Sequence, residues 1–437
     1  MSFRLSRLGL AISAKGISFF GDMVATVALT FRVAPHGAVA VAALLAGNLL
    51  PIVLLSGVAG RLADSVDERL LLVVTGGAQA LLCGALVVAP GLVTVYVLVA
   101  LLGAGQAVNG ATWQAVVPAL APPGRLAWAL SRSQMATTVA GIAAPALGGV
   151  LTGAAGTRVP LLVDVASFVA LAVAGMALGR VRAAPDPARD TSGGWAIARR
   201  SPLLRAVLTM LFWMLVLGSL VNVVEVFLIR DVLHAGATTY GLCGGIYSGA
   251  AFLGALLAGR WNERGAQITA LMRSGALLGV GLALMGLSPS IAWLVGASVL
   301  TGFANGALNV ALSGVLLGAA EPDQRGRVGA VVGATVSGGQ LVAYVLAGAL
   351  ASVTGPRELF VAAGLASTAI AMLRGPGLHR AGRAAHQDSA THVGGAGRGT
   401  DPTLTGRRRA LPLPCRSLDA ELARARREVA LHHGSAR

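Results

Sequence analysis

Charged residues are scarce in this chain of 437 residues. Only 12% are Asp, Glu, Lys or Arg, whereas an ordinary soluble domain has roughly 25%. Hydrophobic residues make up 55% of the chain, and the mean hydropathy is +0.74. This composition excludes an ordinary soluble domain and predicts a membrane protein.

The sequence also lacks the motifs of most catalytic and cofactor sites. Its three cysteines, Cys83, Cys243 and Cys415, show no paired or metal-ligand spacing, and we interpret them as small apolar packing residues. There is no glycine-rich nucleotide loop of the G-x-x-x-x-G-K-[ST] kind, no histidine-rich metal cluster and no nucleophile–base pairing. We therefore expect neither an enzyme nor a cofactor or metal site.

Long apolar runs are what the sequence has in abundance. A transmembrane helix needs about 20 mostly apolar residues. Twelve windows satisfy this requirement: 8–31, 37–59, 70–89, 91–113, 131–154, 158–180, 203–229, 239–260, 266–287, 290–317, 327–352 and 356–374. The 59 glycines suit this interpretation, because small residues let membrane helices approach closely. The predicted fold class is an all-α polytopic membrane protein with twelve transmembrane helices.

The net charge of +16 is distributed unevenly between the predicted loops. Loops on the side of the N-terminus hold most of the arginines, whereas loops on the opposite side hold mainly Arg32, Arg158, Arg230 and Arg357. Basic residues concentrate in cytoplasmic loops of membrane proteins. The charge therefore predicts both termini in the cytoplasm of a plasma-membrane protein, with the lipid bilayer and not a nucleic acid as its partner.

Two loop motifs recur about 200 residues apart. AGRLADSVDER begins at Ala59 and AGRWNERG begins at Ala258, 199 residues later. PALAPPGRLAWA follows the fourth window, and GAAEPDQRGRVGA follows the tenth. Internal repeats of this kind are common in transporters. They predict two six-helix bundles, 1–180 and 203–374, joined by a cytoplasmic linker, 181–202.

Two segments outside the windows have their own composition. Residues 375–437 are rich in Gly, His, Pro and Arg, which predicts a basic, largely disordered cytoplasmic tail near anionic lipid, with partner binding as the alternative. Within it, residues 417–431 predict a short helix with Ser417 as its N-cap. In the linker, WAIARRSPLLR predicts a short helix along the inner membrane face.

The loop after the second window, GRLADSVDERLLL at residues 60–72, resembles the loop signature of the major facilitator superfamily. Matching residues are Gly60, Leu62, Ala63, Asp64, Arg69 and Leu72. Ser65 and Asp67 depart from the signature. The resemblance implies an inner gate in which Gly60 permits close helix packing and Asp64 accepts hydrogen bonds or pairs with an arginine. The alternative is a solvated turn whose surface pairs contribute under about 1 kcal/mol each.

The fifth window contains AGIAAPALGGVL, residues 140–151, which resembles the antiporter signature of the same superfamily. Pro145, Gly148 and Gly149 match it. The small residues recur every four positions and form one broad helix face suited to close packing, while Pro145 permits a bend. The resemblance implies proton-coupled export; the alternative is a generic small-residue packing face.

Four further stretches resemble the subgroup of twelve-span drug:proton antiporters that includes macrolide and enterobactin exporters. They are SFFGDMVATVAL, VDVASFVALAV, RRSPLLRAVL and DQRGRVGAVV. The resemblance covers about residues 1–374. It implies the major facilitator fold, two pseudo-symmetric six-helix halves in which spans one, four, seven and ten line a central cavity.

A few polar residues interrupt these spans. A carboxylate inside a span costs a few kcal/mol or more and usually faces a cavity or a partner. Asp22, Glu225 and Asp164 are therefore proton-coupling candidates. The substrate-cavity candidates are Thr26, Gln106, Asn109, Asn222, Asn305 and Asn309. The alternative for Asp22 is a structural acid, hydrogen-bonded or paired with Lys15 or with an arginine of another span.

Together these features predict a secondary active transporter that exports a small amphiphilic molecule in exchange for protons by alternating access. The cargo is expected to be a drug, an antibiotic or a siderophore-like metabolite, and the protein is expected to be a monomer. An uptake permease of the same fold is the first alternative. A non-transporting membrane receptor is the second.

Overall fold

A computed structural model describes residues 2–179, 194–260, 264–319 and 324–395. Helices account for nearly all of them, and no β-strand occurs in these ranges. The helices are α1 (Ser2–Val33), α2 (Ala38–Ser65), α3 (Glu68–Val88), α4 (Leu92–Leu120), α5 (Leu126–Ala155), α6 (Arg158–Leu178), α7 (Gly194–Arg200), α8 (Pro202–Phe227), α9 (Ala237–Ala258), α10 (Arg264–Gly286), α11 (Ile291–Ala319), α12 (Arg325–Leu350) and α13 (Pro356–Gly395). A 3₁₀ turn follows α1 at Ala34–His36, and a π-helical turn follows α8 at Leu228–Val232.

Twelve of these helices are long and apolar enough to cross a membrane, as the sequence predicts. The exception is α7, which has seven residues. Many large apolar side chains on the spans are open to the surroundings; Leu81 is 78% exposed and Val88 is 77% exposed. Such a surface suits contact with lipid tails and not with water.

Local signals in the sequence explain where several helices begin and end. The Asp67 carboxylate accepts a hydrogen bond from the Arg69 backbone N–H at 3.0 Å and caps the start of α3. Ser201 caps α8 by accepting from the Leu204 N–H at 3.3 Å. Gly156 ends α5 with φ +71°, which glycine adopts without steric cost.

Arginine side chains of other helices donate hydrogen bonds to backbone carbonyls at the ends of three helices. Arg32 donates hydrogen bonds to the carbonyl oxygens of Leu86 and Ala89, at the end of α3. Arg7 donates to the Leu178 carbonyl at the end of α6, and Arg357 donates to the Ser288 carbonyl just after α10, at 3.0 Å. Each guanidinium thus supplies donors to carbonyls that have no partner within their helix.

The helix contacts repeat between the first six spans and the last six. In the first set, α2 packs on α4, α3 on α4 and α1 on α5. In the second set the corresponding pairs are α9 on α11, α10 on α11 and α8 on α12. The repeated pattern accords with the duplicated loop motifs, while the exact bundle boundaries at 180 and 203 remain predictions.

Two seams join the two sets of helices. Helix α5 packs against α9, and α2 packs against α12. A β-carbon built on Gly348 of α12 would lie 3.1 Å from the Ala42 β-carbon of α2, so this seam is tight near the end of α12. Because successive spans alternate in direction, this end lies at the face opposite the start of α1, which we call the distal face.

The linker and the tail are only partly described. Residues 180–193 lie outside the described ranges, but α7 packs on α12, where Ala198 contacts Val331 in a small apolar cluster. The short helix expected over 195–205 is therefore divided between α7 and the start of α8. The last described helix, α13, continues to Gly395. The sequence predicts a largely disordered tail from 375, whereas the residues from 375 to Gly395 are helical. The predicted helix at 417–431 lies outside the described residues.

Candidate functional site

The first cavity lies among α1, α2, α4 and α6 and has a volume of about 50 Å³. Its polar lining consists of Asp22, Thr26, Asn48, Gln106 and Asp164, and the remaining walls are apolar. Two of the three predicted proton-coupling candidates thus share one cavity, together with two of the predicted cavity residues.

Asp22 is half-buried and bound to a neutral partner. The Gln106 side-chain amide donates a hydrogen bond from Nε2 to Asp22 Oδ1 at 3.0 Å. One turn further along α1, the Thr26 hydroxyl donates to the Asp22 backbone carbonyl at 2.7 Å. Lys15, the expected alternative partner, instead donates to Ser133 of α5 at 3.0 Å. No described basic side chain forms an ion pair with Asp22.

Asp164 is almost fully enclosed, with 1% of its surface exposed. The Ser167 hydroxyl donates to Asp164 Oδ1 at 3.0 Å, and the Cys83 thiol lies 3.4 Å from Oδ2. A β-carbon on Gly21 would lie 2.6 Å from Asp164 Oδ1, so α1 passes this carboxyl at very close range. Only glycine at position 21 leaves room for α1 to lie against Asp164.

The second cavity lies among α8 to α13 and has a volume of about 340 Å³. Its polar lining consists of Asn222, Glu225, Tyr247, Asn305, Asn309 and Gln340, with smaller contributions from Ser219 and Thr301. Leucine, methionine and phenylalanine side chains form most of the other walls. A cavity of this size and character is typical of sites for small organic molecules.

Glu225 differs from the two aspartates in its surroundings. It is half-buried at the edge of the second cavity, and no described side chain donates a hydrogen bond to its carboxylate or pairs with it. Three residues later the chain widens into the π-helical turn at Leu228–Val232, a feature frequent at functional sites. The neighbouring Asn305 and Asn309 are bound to each other, with Asn309 Nδ2 3.0 Å from Asn305 Oδ1.

Asn109 lies away from both cavities. Its side chain is buried between α3 and α4, where its amide donates to Gln79 and its carbonyl oxygen accepts from the Thr75 hydroxyl at 2.6 Å. The expected cavity-lining role is therefore replaced by a contact between helices. Asn48, Tyr247 and Gln340 line the cavities and are not among the predicted residues. Asn48 is an isolated polar residue in an apolar stretch, which is a signal that could identify it, whereas Tyr247 and Gln340 lie in spans with other polar residues.

The predicted gate residues lie at the junction of α2 and α3. Gly60 and the exposed Asp64 belong to the last turns of α2, and Arg69 lies in the first turn of α3. A β-carbon on Gly60 would meet no atom of the described residues within 4 Å, and the close packing expected of this glycine stays a prediction. Asp67, which departs from the loop signature, is the residue whose side chain caps α3.

Two rows of small residues on α5 contact two different helices. In one row, a β-carbon on Gly148 would lie 3.1 Å from the Val24 Cα of α1. In the other row, a β-carbon on Gly149 would lie 2.7 Å from the Gly241 Cα of α9, and Gly241 also approaches the Pro145 carbonyl. The antiporter-like segment therefore forms the tightest part of the α5–α9 seam, near the distal face.

A third contact closes the same face. The rings of Phe31, at the end of α1, and Tyr240, at the start of α9, meet edge to face with centroids 5.4 Å apart. Further along the seam the helices diverge, and a β-carbon on Gly249 would lie 3.9 Å from Ile142 Cγ2, an ordinary contact distance. Contacts between the two sets of helices are thus tight at the distal end of this seam and looser away from it.

The fold resembles that of solved membrane transporters. A bacterial homologue of the human lysosomal transporter Spinster, in an inward-facing and unoccupied conformation, has a TM-score of 0.66 at 14% identity, covering 88% of this chain and 98% of that one. A mutant of the nucleoside transporter NupG has a TM-score of 0.68 at 12% identity, covering 85% of this chain and 99% of that one. A bacterial homologue of the iron transporter ferroportin, in an inward-facing state, has a TM-score of 0.65 at 17% identity, covering 86% of this chain and 99% of that one.

The match to a protein-family model agrees with the structural comparisons. No curated protein sequence matches the chain. The family model described as Major Facilitator Superfamily matches residues 11–229 and 214–391, which is most of the chain. The predicted all-α, twelve-span fold is confirmed, and this multi-pass membrane protein belongs to the Major Facilitator Superfamily, a family of transporters and not of enzymes.

Proposed function

We propose that this chain is a proton-coupled exporter of small amphiphilic molecules that works by alternating access. The observation that carries the proposal is the first cavity, where Asp22 and Asp164 lie within membrane spans and face one small space. A carboxyl group at such a place is costly to keep charged. Both side chains are therefore suited to hold a proton and to release it when water reaches them.

The partners of these carboxyls support proton binding over a structural ion pair. Their hydrogen-bond donors are neutral: an amide for Asp22, and a hydroxyl and a thiol for Asp164. A fixed cation would hold a carboxylate charged through the whole cycle. Neutral donors tolerate either protonation state, which a group that exchanges protons requires.

The closed distal face supports alternating access. The Gly149–Gly241 approach, the Phe31–Tyr240 pair and the tight end of the α2–α12 seam join the two sets of helices there. Opening that face would break these contacts together, so they can act as one gate. With both termini in the cytoplasm, the distal face is the outer one, and this conformation opens towards the inside.

Further parts of the proposal follow the sequence prediction. The chain acts as a monomer in the plasma membrane, with bundles at 1–180 and 203–374 and a tail after 374. Export is proposed over uptake because the segment that resembles the antiporter signature forms the tight α5–α9 contact. The direction of transport remains part of the test.

The test uses purified protein in liposomes with an imposed pH gradient and a panel of macrolides, dyes and siderophores. We expect cargo-dependent proton movement in the wild type, and its loss in Asp22→Asn and Asp164→Asn. The matched control is Asp231→Asn, because Asp231 is an exposed acid paired with Arg230 at 2.7 Å, outside both cavities. Cargo movement without protons would contradict coupling, and cargo moving together with protons would identify an uptake permease.

A further inference from the structure

The two cavities differ in how their carboxyl groups are satisfied. In the first, Asp22 and Asp164 both accept hydrogen bonds from neutral donors, and the space beside them is about 50 Å³. In the second, Glu225 faces about 340 Å³ and receives no hydrogen bond from a described side chain. The larger space therefore lies beside the carboxylate that still lacks a partner.

Among the described residues that line the second cavity, Glu225 is the only charged one. A carboxylate inside the membrane is costly when it stands alone, and a positive charge placed against it removes much of that cost. None of the described lining residues is an arginine or a lysine. When Glu225 is ionised, a cationic group on a molecule that enters the cavity would supply this positive charge.

The other walls describe the rest of such a molecule. Met214, Met285, Leu278, Leu282 and Phe360 offer a broad apolar surface that adapts to varied shapes. Tyr247 lines the same cavity as Glu225. An aromatic ring beside a carboxylate favours a quaternary or tertiary ammonium group, which the ring face attracts.

We propose that the cargo is a lipophilic monocation, bound within α8 to α13 with its ammonium group against Glu225 and Tyr247. This inference rests on the proposed function and specifies its cargo. It assigns the two cavities different roles: the first holds the proton and the second holds the cargo. Asn222 and Asn305 then orient the polar parts of the cargo from the facing helices α8 and α11.

The test measures binding, which needs no proton gradient. The probes are a dansyl amide that carries a trimethylammonium group and its neutral isostere, in which carbon replaces the quaternary nitrogen. Calorimetry on protein in nanodiscs, with empty nanodiscs as the blank, gives both affinities. We expect the wild type to prefer the cation at least about tenfold, the range of close charge pairs.

Three variants locate the charge that matters. Glu225→Gln keeps the shape of the side chain and is expected to abolish the preference while leaving the affinity for the neutral probe unchanged. Glu225→Asp retains the charge and should restore part of the preference. Asp231→Asn, at an exposed acid outside both cavities, should keep it; an equal loss in Asp231→Asn and Glu225→Gln would overturn the placement.

The remaining outcomes separate this inference from the proposed function. Equal wild-type affinities for the two probes, or no measurable binding of the cation, would overturn the inference. If cargo-linked proton movement persists in that case, the proposed function stands with another class of cargo. Charge-selective binding without any proton movement would instead support the cation site and contradict proton-coupled export.

Discussion

The α5–α9 seam offers the sharpest test of the gate, through the substitution Gly149→Ala. A β-carbon at this position would lie 2.7 Å from the Gly241 Cα and 2.9 Å from the Gly241 nitrogen. Non-bonded carbon atoms prefer separations of about 3.5–4.0 Å. The obstructing atoms belong to the backbone, so no side chain can turn aside, and α5 and α9 must separate locally by about 1 Å.

The expected cost follows from that overlap. Overpacking of a close-packed interior costs typically about 1–3 kcal/mol. A cost of about 2 kcal/mol borne only by the conformation with a closed distal face would shift the balance between closed and open forms by about 30-fold. We therefore expect Gly149→Ala to favour the conformation in which the distal face is open.

Spin-label distances measure this shift directly. Labels on cysteines introduced at the exposed positions Arg158 and Asp231, near the distal ends of the two sets of helices, report the opening. Cys83 and Cys243 are each 1% exposed and should not react, and Cys415 is replaced. The longer distance should gain population in Gly149→Ala.

Gly141→Ala is the matched control on the same helix. A β-carbon there would meet only Phe19 Cε1, at 3.7 Å, an ordinary contact. We expect its distance distribution to equal that of the wild type, and its stability to be unchanged or slightly higher because alanine favours helix more than glycine. If Gly149→Ala behaves like Gly141→Ala, the seam is not a steric gate and the reasoning fails.

Two further predictions concern stability and the separation of structural from cargo-binding amides. Arg32→Ala removes donors from the last turn of α3 and should lower the free energy of unfolding by about 1–2 kcal/mol, measured as a lower Tm in nanodiscs. Arg230→Ala is the control, because it breaks only an exposed pair and should cost under about 1 kcal/mol. Equal losses in the two variants would contradict the capping role of Arg32. Asn109→Leu leaves the Gln79 side-chain oxygen without its donor and should cost about 1–3 kcal/mol without changing which cargo binds. Asn305→Leu should instead change cargo affinity at nearly unchanged Tm, and the reverse pattern would contradict the assignment of the two amides.

The positions of the spans could be predicted because hydrophobic thickness constrains each helix separately. The segment 70–89 was predicted and α3 runs from Glu68 to Val88, a difference of two residues or fewer at each end. Composition locates the spans, although α2 and α4 continue six and seven residues beyond their predicted ends at 59 and 113. It does not specify which helices meet, and the α5–α9 seam became visible only when Gly149 and Gly241 were placed opposite each other.

Candidate residues were harder to place because a helix face is broad. Gln106 and Asn109 are three residues apart on α4, about 60° around the helix axis. That rotation is enough to direct Gln106 to Asp22 and Asn109 to Gln79 on α3. Periodicity identifies the polar side of a helix, but the neighbouring helices decide whether a side chain on it reaches a cavity or an interface.

The three membrane carboxyls show why sequence could not separate their roles. Asp22, Asp164 and Glu225 are each a single acid in an apolar span, and the sequence alone assigns each of them a similar cost inside the membrane. What distinguishes them is the partner supplied by a distant part of the chain: Gln106 lies 84 residues from Asp22, and Cys83 lies 81 residues from Asp164. Glu225 has no such partner among the described side chains. The proposed cation site rests on this missing contact, because a cationic cargo would supply to an ionised Glu225 the partner that no described side chain supplies.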